Sequence, residues 1–331
     1  MTHDRVLRTG AAAIALAVVL KIFTSVPLPT KLFNAQSVSR WVIYLETGRI
    51  LAETVPATQA TEPTPTVIEK EPPEEPRRLS FSPSDGELVN IRSSWDCALT
   101  PRELVMEPLD WDLTGDEPTV LIYHTHAMES YTPQTGEDYT EEVPFRTADL
   151  DYNMVSIGTR LAELLENAGI SVFHDTTLHD AASYNGSYAS SRETVEKYLA
   201  QYPSIRLVLD IHRDAIQPEE GVILRPVAEI NGREAAQVMI ISGCDDGTMN
   251  MPNYFSNLRF AAALQSSMEG MYPGLTRPVF FCYRKYNMDL SPGALLIELG
   301  SHGNTLEQVS YSAELVGNAL VSLLQQQTAG Q

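Results

Sequence analysis

The sequence predicts an α/β protein built on a single mixed, mostly parallel sheet flanked by helices, and three observations carry that expectation. Thr119, Val120, Leu121 and Ile122 form a β-branched and aliphatic run that stops abruptly at His124, His126 and Glu129. Such a run reads as a buried strand delivering polar groups at its carboxyl end. Ile205 to Ile211 repeats the pattern and ends in His212. Between the two, Ile157, Leu161, Leu164, Leu165 and Ala168 recur at helical spacing and Gly169 closes the run, which predicts an amphipathic helix.

In chain order, Arg5 and Arg8 precede a wholly apolar run from Ala11 to Leu20, with Lys21 beyond it. A basic flank before a short apolar stretch is a membrane-targeting signal with the basic end left in the cytoplasm. Phe23-Thr-Ser-Val makes a poor cleavage site, so residues 1–29 are expected to be a cytoplasmic stub and a retained single-pass anchor. Everything beyond then faces outward. Residues 30–83 are expected to hold a membrane-proximal segment, with a short helix around Val38 to Leu45, and a linker. From Glu53 to Pro83 the composition turns to Pro, Thr and Glu, which cannot bury enough surface to order itself. Such a tether is extended, at about 3 Å per residue.

Residues 84–331 are expected to form the folded domain. After the first strand and the helix from Ile157 come a strand over Ile170 to His174, a helix opened at Ser190 by the capping box with Glu193, and the strand to Ile211. Gly221 to Val227, Gln237 to Ser242 and Val279 to Tyr283 read as strands, and Tyr254 to Met271 as a helix. The last strand, Gly293 to Gly300, holds Glu298 in an otherwise apolar run, and a helix with Leu315, Ala319 and Leu324 closes the chain. A glutamate is almost never buried without a partner or a task.

Composition narrows the function classes. Of 331 residues 43% are hydrophobic, ordinary for a folded protein, while the formal charge of -20 with no basic face argues against a nucleic-acid binder. Cys97, Cys244 and Cys282 are far apart and odd in number, so they read as buried thiols.

The polar residues at the strand ends form one constellation. His126-Ala-Met-Glu129 has the H-x-x-E spacing that lets an imidazole and a carboxylate on one turn reach a single Zn2+. With His212 as third ligand, a fourth position is left for water, and Glu298 is placed to take that water's proton and pass it to a leaving amine. This is equipment for amide hydrolysis.

The same residues carry a resemblance. Tyr123-His-Thr-His-Ala-Met-Glu-Ser-Tyr131, His174-Asp-Thr-Thr-Leu-His-Asp180, Tyr184-Asn-Gly-Ser-Tyr-Ala-Ser-Ser-Arg192, Asp210-Ile-His-Arg-Asp-Ala215 and Leu296-Ile-Glu-Leu-Gly-Ser-His-Gly-Asn304 resemble the stage II sporulation protein P family. The resemblance implies a membrane-anchored, zinc-dependent peptidoglycan hydrolase acting as an N-acetylmuramoyl-L-alanine amidase, with endopeptidase activity on stem peptides, during engulfment in sporulation. It implies a lytic transglycosylase of the stage II sporulation protein D family as partner, and a place in the mother-cell membrane facing the forespore septum. The family is similar in turn to zinc amidases and carboxypeptidases, whose ligands and catalytic glutamate would fall on His126, Glu129, His212 and Glu298.

Alternatives stay open at several positions. Amidases of the broader group take their zinc glutamate from just before the first helix, where this chain offers Asp149 or Asp151, so Asp149 rivals Glu129. His124 rivals His126, since strand alternation sends both to one side. Asp210 either orients an imidazole or is a satisfied structural carboxylate. Arg213 and Asp214 either pair with each other or recognise a substrate carboxylate. His174, His179 and His302 read as structural histidines, with His179 the strongest candidate of the three for metal or substrate, in a polar loop at the cleft rim where Tyr184, Tyr188 and Arg192 are candidates to contact glycan or peptide. A zinc peptidase of stem peptides and a non-catalytic membrane-tethered scaffold remain the competing functions.

Overall fold

The computed structural model describes residues 76–79, 88–95, 101–106, 109, 111–113, 115–133, 145–220 and 222–329. The anchor expected over 1–29, the helix around Val38 to Leu45 and most of the linker lie outside them. Among the described residues no helix is long and apolar enough to cross a membrane.

The elements in order are β1 (Arg77–Leu79), β2 (Ile91–Ser93), α1 (Pro101–Met106), β3 (Val120–Tyr123), α2 (Met154–Asn167), β4 (Val172–His174), α3 (Ser187–Gln201) and β5 (Leu207–Asp214). There follow β6 (Leu224–Ile230), β7 (Arg233–Ala236), β8 (Val238–Gly243), α4 (Tyr254–Met271), β9 (Val279–Cys282), β10 (Ala294–Ser301) and α5 (Leu306–Ala329). The expected mixed, mostly parallel sheet has seven strands in the order β2-β9-β8-β10-β5-β3-β4. All neighbours run parallel except β8 and β10. Two parallel blocks therefore meet head to tail at that seam, and β3, β5 and β10 bring their carboxyl ends to the same edge.

Alternation along the strands sorts the core. Val120 and Ile122 of β3, Leu207, Leu209 and Ile211 of β5, and Leu295, Ile297 and Leu299 of β10 pack with α2, α4 and α5 in one cluster. Leu121, Tyr123, Val208 and Leu296 pack on the other face with Val195 of α3. Period two then puts Asp210, His212 and Glu298 on this second face. Each fully buried Leu or Ile contributes roughly 1.5–3 kcal/mol, so the two apolar sets fix the register and the polar positions follow from it.

Three details depart from the sequence expectation. A second sheet, β1-β6-β7, lies beside the large one. Its strand β1 pairs Arg77 to Leu79 with Leu224 to Pro226, so three residues of the expected linker are instead a strand. Its hairpin β6–β7 turns at Asn231 and Gly232, with φ of 52° and 76°, the left-handed pair of a type I′ turn; the Asn-Gly dipeptide was the available signal. Finally, α3 starts at Ser187, with Gly186 before it, rather than at Ser190. Ser187, Ser191 and Val195 recur every four residues and are the buried ones, so burial of that stripe sets the start and Ser190 sits exposed in the first turn.

Elsewhere the expected elements stand. Asn153 caps α2 by accepting the Val155 N–H at 2.9 Å, and the Ile170 N–H returns to Leu165 O at 3.0 Å across Gly169, a Schellman closure. Cys244 and Cys282 are buried thiols, and Cys97 lies outside the described residues.

Candidate functional site

The site forms where β3, β5 and β10 end. Glu298 and His212 are register neighbours on β10 and β5. Just after Glu298 the register shifts, and Gly300 takes φ of 67°. A Cβ there would come within 2.7 Å of Asn304 Oδ1 and 2.8 Å of Ala236 Cβ, so the bulge that ends the ladder beside Glu298 requires glycine.

On β3 the chain leaves the strand after Tyr123. Thr125 donates its N–H to Asp210 Oδ1 at 2.9 Å and its hydroxyl to Asp210 Oδ2 at 2.6 Å. Met128 N–H donates to Asp180 Oδ1 at 3.1 Å, Glu129 N–H to His126 O at 3.1 Å, and Met154 N–H to Glu129 O at 3.0 Å. Two buried aspartates and the start of α2 thus hold the H-x-x-E turn. The turn also separates the two histidines. His124 keeps the strand alternation and points towards α2, with Nδ1 on Ile211 O at 3.0 Å and Nε2 on His174 Nε2 at 2.9 Å. His126 comes round to the other side, its ring 5.3 Å from that of His212 at 79°. Strand alternation does not, after all, send both to one side, because β3 has ended by Thr125.

Glu129 is the carboxylate that meets the histidines. Its Oε2 lies 3.9 Å from His212 Nδ1, and the residue is buried. Asp149, its rival, is exposed and accepts the Asp151 N–H at 3.0 Å in a turn of its own. Asp210 takes the orienting place: its Oδ1 is 2.8 Å from His212 Nε2. That contact lies off the imidazole's N–H axis, so Nε2 has no aligned partner, and neither do Glu129 Oε2 and Glu298 Oε2. Unpartnered polar atoms at this depth are rare and mark a place of function more often than one of stability.

The electrostatics follow from burial and crowding. Burial pulls the His212 pKa down, but Asp210, Glu129 and Glu298 together outweigh it and raise it to about 9. Burial raises Glu298 to about 8, against the pull of His212 and with Asp214 and Glu129 adding to the rise. Asp210 is held below the usual carboxylate range because His212 and the two Thr125 bonds outweigh its burial. His126 is lowered to about 4 by burial and by the charge on His212. Glu298 is thus inclined to keep a proton near neutrality.

The remaining candidates are placed as follows. His179 is buried behind the turn, with Nδ1 on His124 O at 2.8 Å and Nε2 on Thr194 Oγ1 at 2.9 Å, so both nitrogens serve the structure. Arg213 does not pair with Asp214. It donates Nε to Ser130 O at 3.0 Å and Nη2 to Phe145 O at 3.1 Å, with Nη1 3.6 Å from Glu129 Oε1. Asp214 accepts from Arg277 Nη1 at 2.8 Å. Arg192 pairs with Asp289 and Glu196, away from the histidines. His302 packs its ring on Phe145 at 4.8 Å.

Tyr184 and Tyr188, which the sequence placed near His179, form part of the wall, while Tyr286, Asn287 and Ser187 were not foreseen. Tyr184 stacks flat on His126 at 4.1 Å, and Tyr188 stands edge-on to it at 5.5 Å. Tyr188 stacks in turn on Tyr286 at 5.0 Å. Tyr286 and Asn287 have φ of 43° and 57°, strained for a bulky side chain; Asn287 holds the bend by donating to Tyr188 O and Ser191 Oγ. Ser187 Oγ lies 3.3 Å from His126 Nδ1, and Asp180 Oδ2 4.0 Å from it. No spacing rule links these residues to the strand ends.

The donor set suits zinc in chemistry: two imidazoles, one carboxylate, and a 3.9 Å gap between His212 Nδ1 and Glu129 Oε2. That gap is below twice the metal–ligand distance of about 2.0–2.2 Å, and the Asp210 carboxylate stands 2.8 Å from Nε2, although off the N–H axis along which a zinc-bound histidine donates to its carboxylate. As placed, though, the ligands meet as two contacts, His126 with His212 and His212 with Glu129. Among the described residues no group of three or more His, Cys, Asp or Glu is arranged to hold a metal ion.

Fold and site together define an α/β protein with a histidine–carboxylate cluster at the carboxyl ends of its parallel strands. The family model for stage II sporulation protein P matches residues 50–321, and the chain belongs to that family. It is 31% identical over 211 residues to stage II sporulation protein P of Bacillus subtilis (strain 168), covering 60% of this chain and 49% of that one, so it spans about half the length of this curated relative. Among solved structures it is similar to the N-acetylmuramoyl-L-alanine amidase AmiC2 of Nostoc punctiforme, 14% identical over 63% of this chain and 99% of that one, with a TM-score of 0.38. It is also similar to the CwlD amidase from Clostridioides difficile in complex with the GerS lipoprotein, 12% identical over 64% and 100%, with a TM-score of 0.38. Likeness at this level says nothing about the residues of the site.

Proposed function

We propose that this chain is a zinc-dependent peptidoglycan hydrolase that cleaves the amide between N-acetylmuramic acid and L-alanine. The observation that carries the reading is the placing of Glu298: beside His212 on the next strand, with one carboxylate oxygen buried and unpartnered. His126, Glu129 and His212 would hold the metal, which when bound supplies an activated water and polarises the amide carbonyl. Asp210 orients His212 from behind, and Asp180 and Ser187 set the ring of His126. Glu298 takes a proton at its free oxygen and returns it to the departing amine, a role its raised affinity for a proton near neutrality suits. Membership of the family supports the substrate class.

A carboxypeptidase would need a fixed arginine for the terminal carboxylate. Arg213, the candidate in the sequence, is committed to two backbone carbonyls and Glu129 and so does not fill that place. Endopeptidase action on stem peptides is compatible with the same site. The anchor over residues 1–29, the catalytic domain over 84–331 outside the cytoplasm, the mother-cell membrane as location and a lytic transglycosylase of the stage II sporulation protein D family as partner complete the proposal.

The test is zinc content and product analysis on denuded peptidoglycan, with Glu298→Gln in parallel. About one zinc per chain, release of stem peptides with a free L-alanine amino terminus, and a Glu298 variant that keeps metal but loses turnover are expected. Shorter peptides alone would point to a peptidase. No metal and no cleavage, even with the transglycosylase present, would leave a scaffold.

A further inference from the structure

Arg146 carries a buried donor that no described residue uses. Its Nη2 donates to Asp180 Oδ2 at 2.7 Å, whereas Nη1 is buried without a hydrogen-bond partner. A charged N–H left so is costly unless something fills the place. Arg213, the other guanidinium near the cluster, spends its groups on Ser130 O, Phe145 O and Glu129. Arg146 is also built into the site. Its backbone bridges to that of Glu129, and the aspartate that holds it is the one that holds Met128 and stands near His126.

Among the described residues, the Tyr184 ring lies against it. The Arg146 guanidinium carbon lies 5.1 Å from the Tyr184 ring centroid, and that ring stacks on His126. Tyr184 is 53% exposed and belongs to a turn, residues 181–186, that is exposed throughout. Little packing is lost if it moves. A planar fork of N–H groups matches a carboxylate. Asp180 already offsets part of the charge, and Glu129, Asp210 and Glu298 nearby disfavour a doubly charged phosphate.

We propose that Arg146 is a carboxylate-reading residue of this site, uncovered when Tyr184 leaves His126, and that the carboxylate is one borne by the stem peptide of peptidoglycan. This rests on the proposed substrate class. It gives the site a specificity for free over amidated stem peptides.

The experiment uses the full-length, zinc-loaded chain carrying Glu298→Gln, so that binding is read without turnover. Calorimetry compares two soluble muropeptides, one with free stem carboxylates and one with those groups converted to carboxamides. Amidation is expected to weaken binding about tenfold or more. Arg146→Gln should abolish the difference, Arg146→Lys should shrink it, and Tyr184→Ala should keep it while tightening the free acid. Equal binding of the two muropeptides, binding of neither, or a difference that survives Arg146→Gln overturns the proposal. Should the glutamine variant not fold, a difference undiminished in Arg146→Lys overturns it. Arg146-dependent discrimination by a chain whose wild type cuts nothing would sink the hydrolase reading and leave this one standing; cleavage without discrimination would do the reverse.

Discussion

Glu298 and His212 are register partners on adjacent parallel strands, so a carboxylate and an imidazole face the same way at the same height of the sheet. Glu298 is one of the three charges that raise His212 to about 9. Glu298→Gln removes that charge at nearly constant volume. In the metal-free protein, the His212 pKa measured by NMR should fall towards its ordinary value of 6.5. Turnover of peptidoglycan should fall by roughly 10²–10⁴-fold. An unmoved His212 titration would mean that the two side chains do not sense each other.

Asp210 is buried and serves three groups: the Thr125 N–H, the Thr125 hydroxyl and the His212 ring. Asn in its place keeps one acceptor oxygen and puts donors where acceptors are needed. Asp210→Asn should destabilise the fold by about 3 kcal/mol in a denaturant titration. The expected accompaniment is a lower His212 pKa, because Asp210 is the largest of the influences raising it. A loss under about 1 kcal/mol would show the network to be slack.

Gly158 lies in α2, where Gly→Ala ordinarily gains about 1 kcal/mol. Here a Cβ would strike the His124 ring and come within 2.5 Å of His174 Nε2. The sign should reverse, with Gly158→Ala costing about 1–3 kcal/mol in thermal or chemical unfolding. Stabilisation by this change would place the two imidazoles elsewhere.

The His124–His174 pair also sets an acid limit. Burial, then the charge of His174, lowers His124 to about 3, and burial lowers His174 to about 4, both from 6.5. Both are neutral when folded and take up protons more readily when unfolded, so the stability they contribute is full above pH 6.5 and is lost as pH falls towards the folded values. At about pH 5 each forfeits on the order of 2 kcal/mol. His212, raised instead, contributes stability that is fully present below pH 6.5 and lost only as pH rises towards about 9, so it stays nearly constant over this acid range. Comparing wild type with His174→Gln by denaturant unfolding at about pH 7 and pH 5 isolates the pair: the variant should lose less. Parallel losses in the two proteins would refute the assignment.

What was legible in the chain was what is local. The runs around Leu121, Val208 and Leu296, the stripe of α2 and the span of α4 gave strands and helices nearly where they stand, because periods of 2 and 3.6 are written in neighbouring residues. The same alternation put Asp210 and His212 on one face and marked Glu298 as a carboxylate needing a reason. Even the hairpin at Asn231 and Gly232 was written locally, in a dipeptide that went unread.

The pairing of distant segments was not written there. His124 meets His174, Thr125 meets Asp210, and Arg146 meets Asp180 only because strand order and parallel register bring separate loops to one edge. Whether His126 or His124 faces His212 turned on where β3 stops, and whether Glu129 or Asp149 joins them turned on which backbone hydrogen bonds fold the turn against α2. The sequence by itself determined that polar groups would end these strands. Only the tertiary structure decided which of them share one pocket, since burial and hydrogen-bond satisfaction are settled between elements rather than along them.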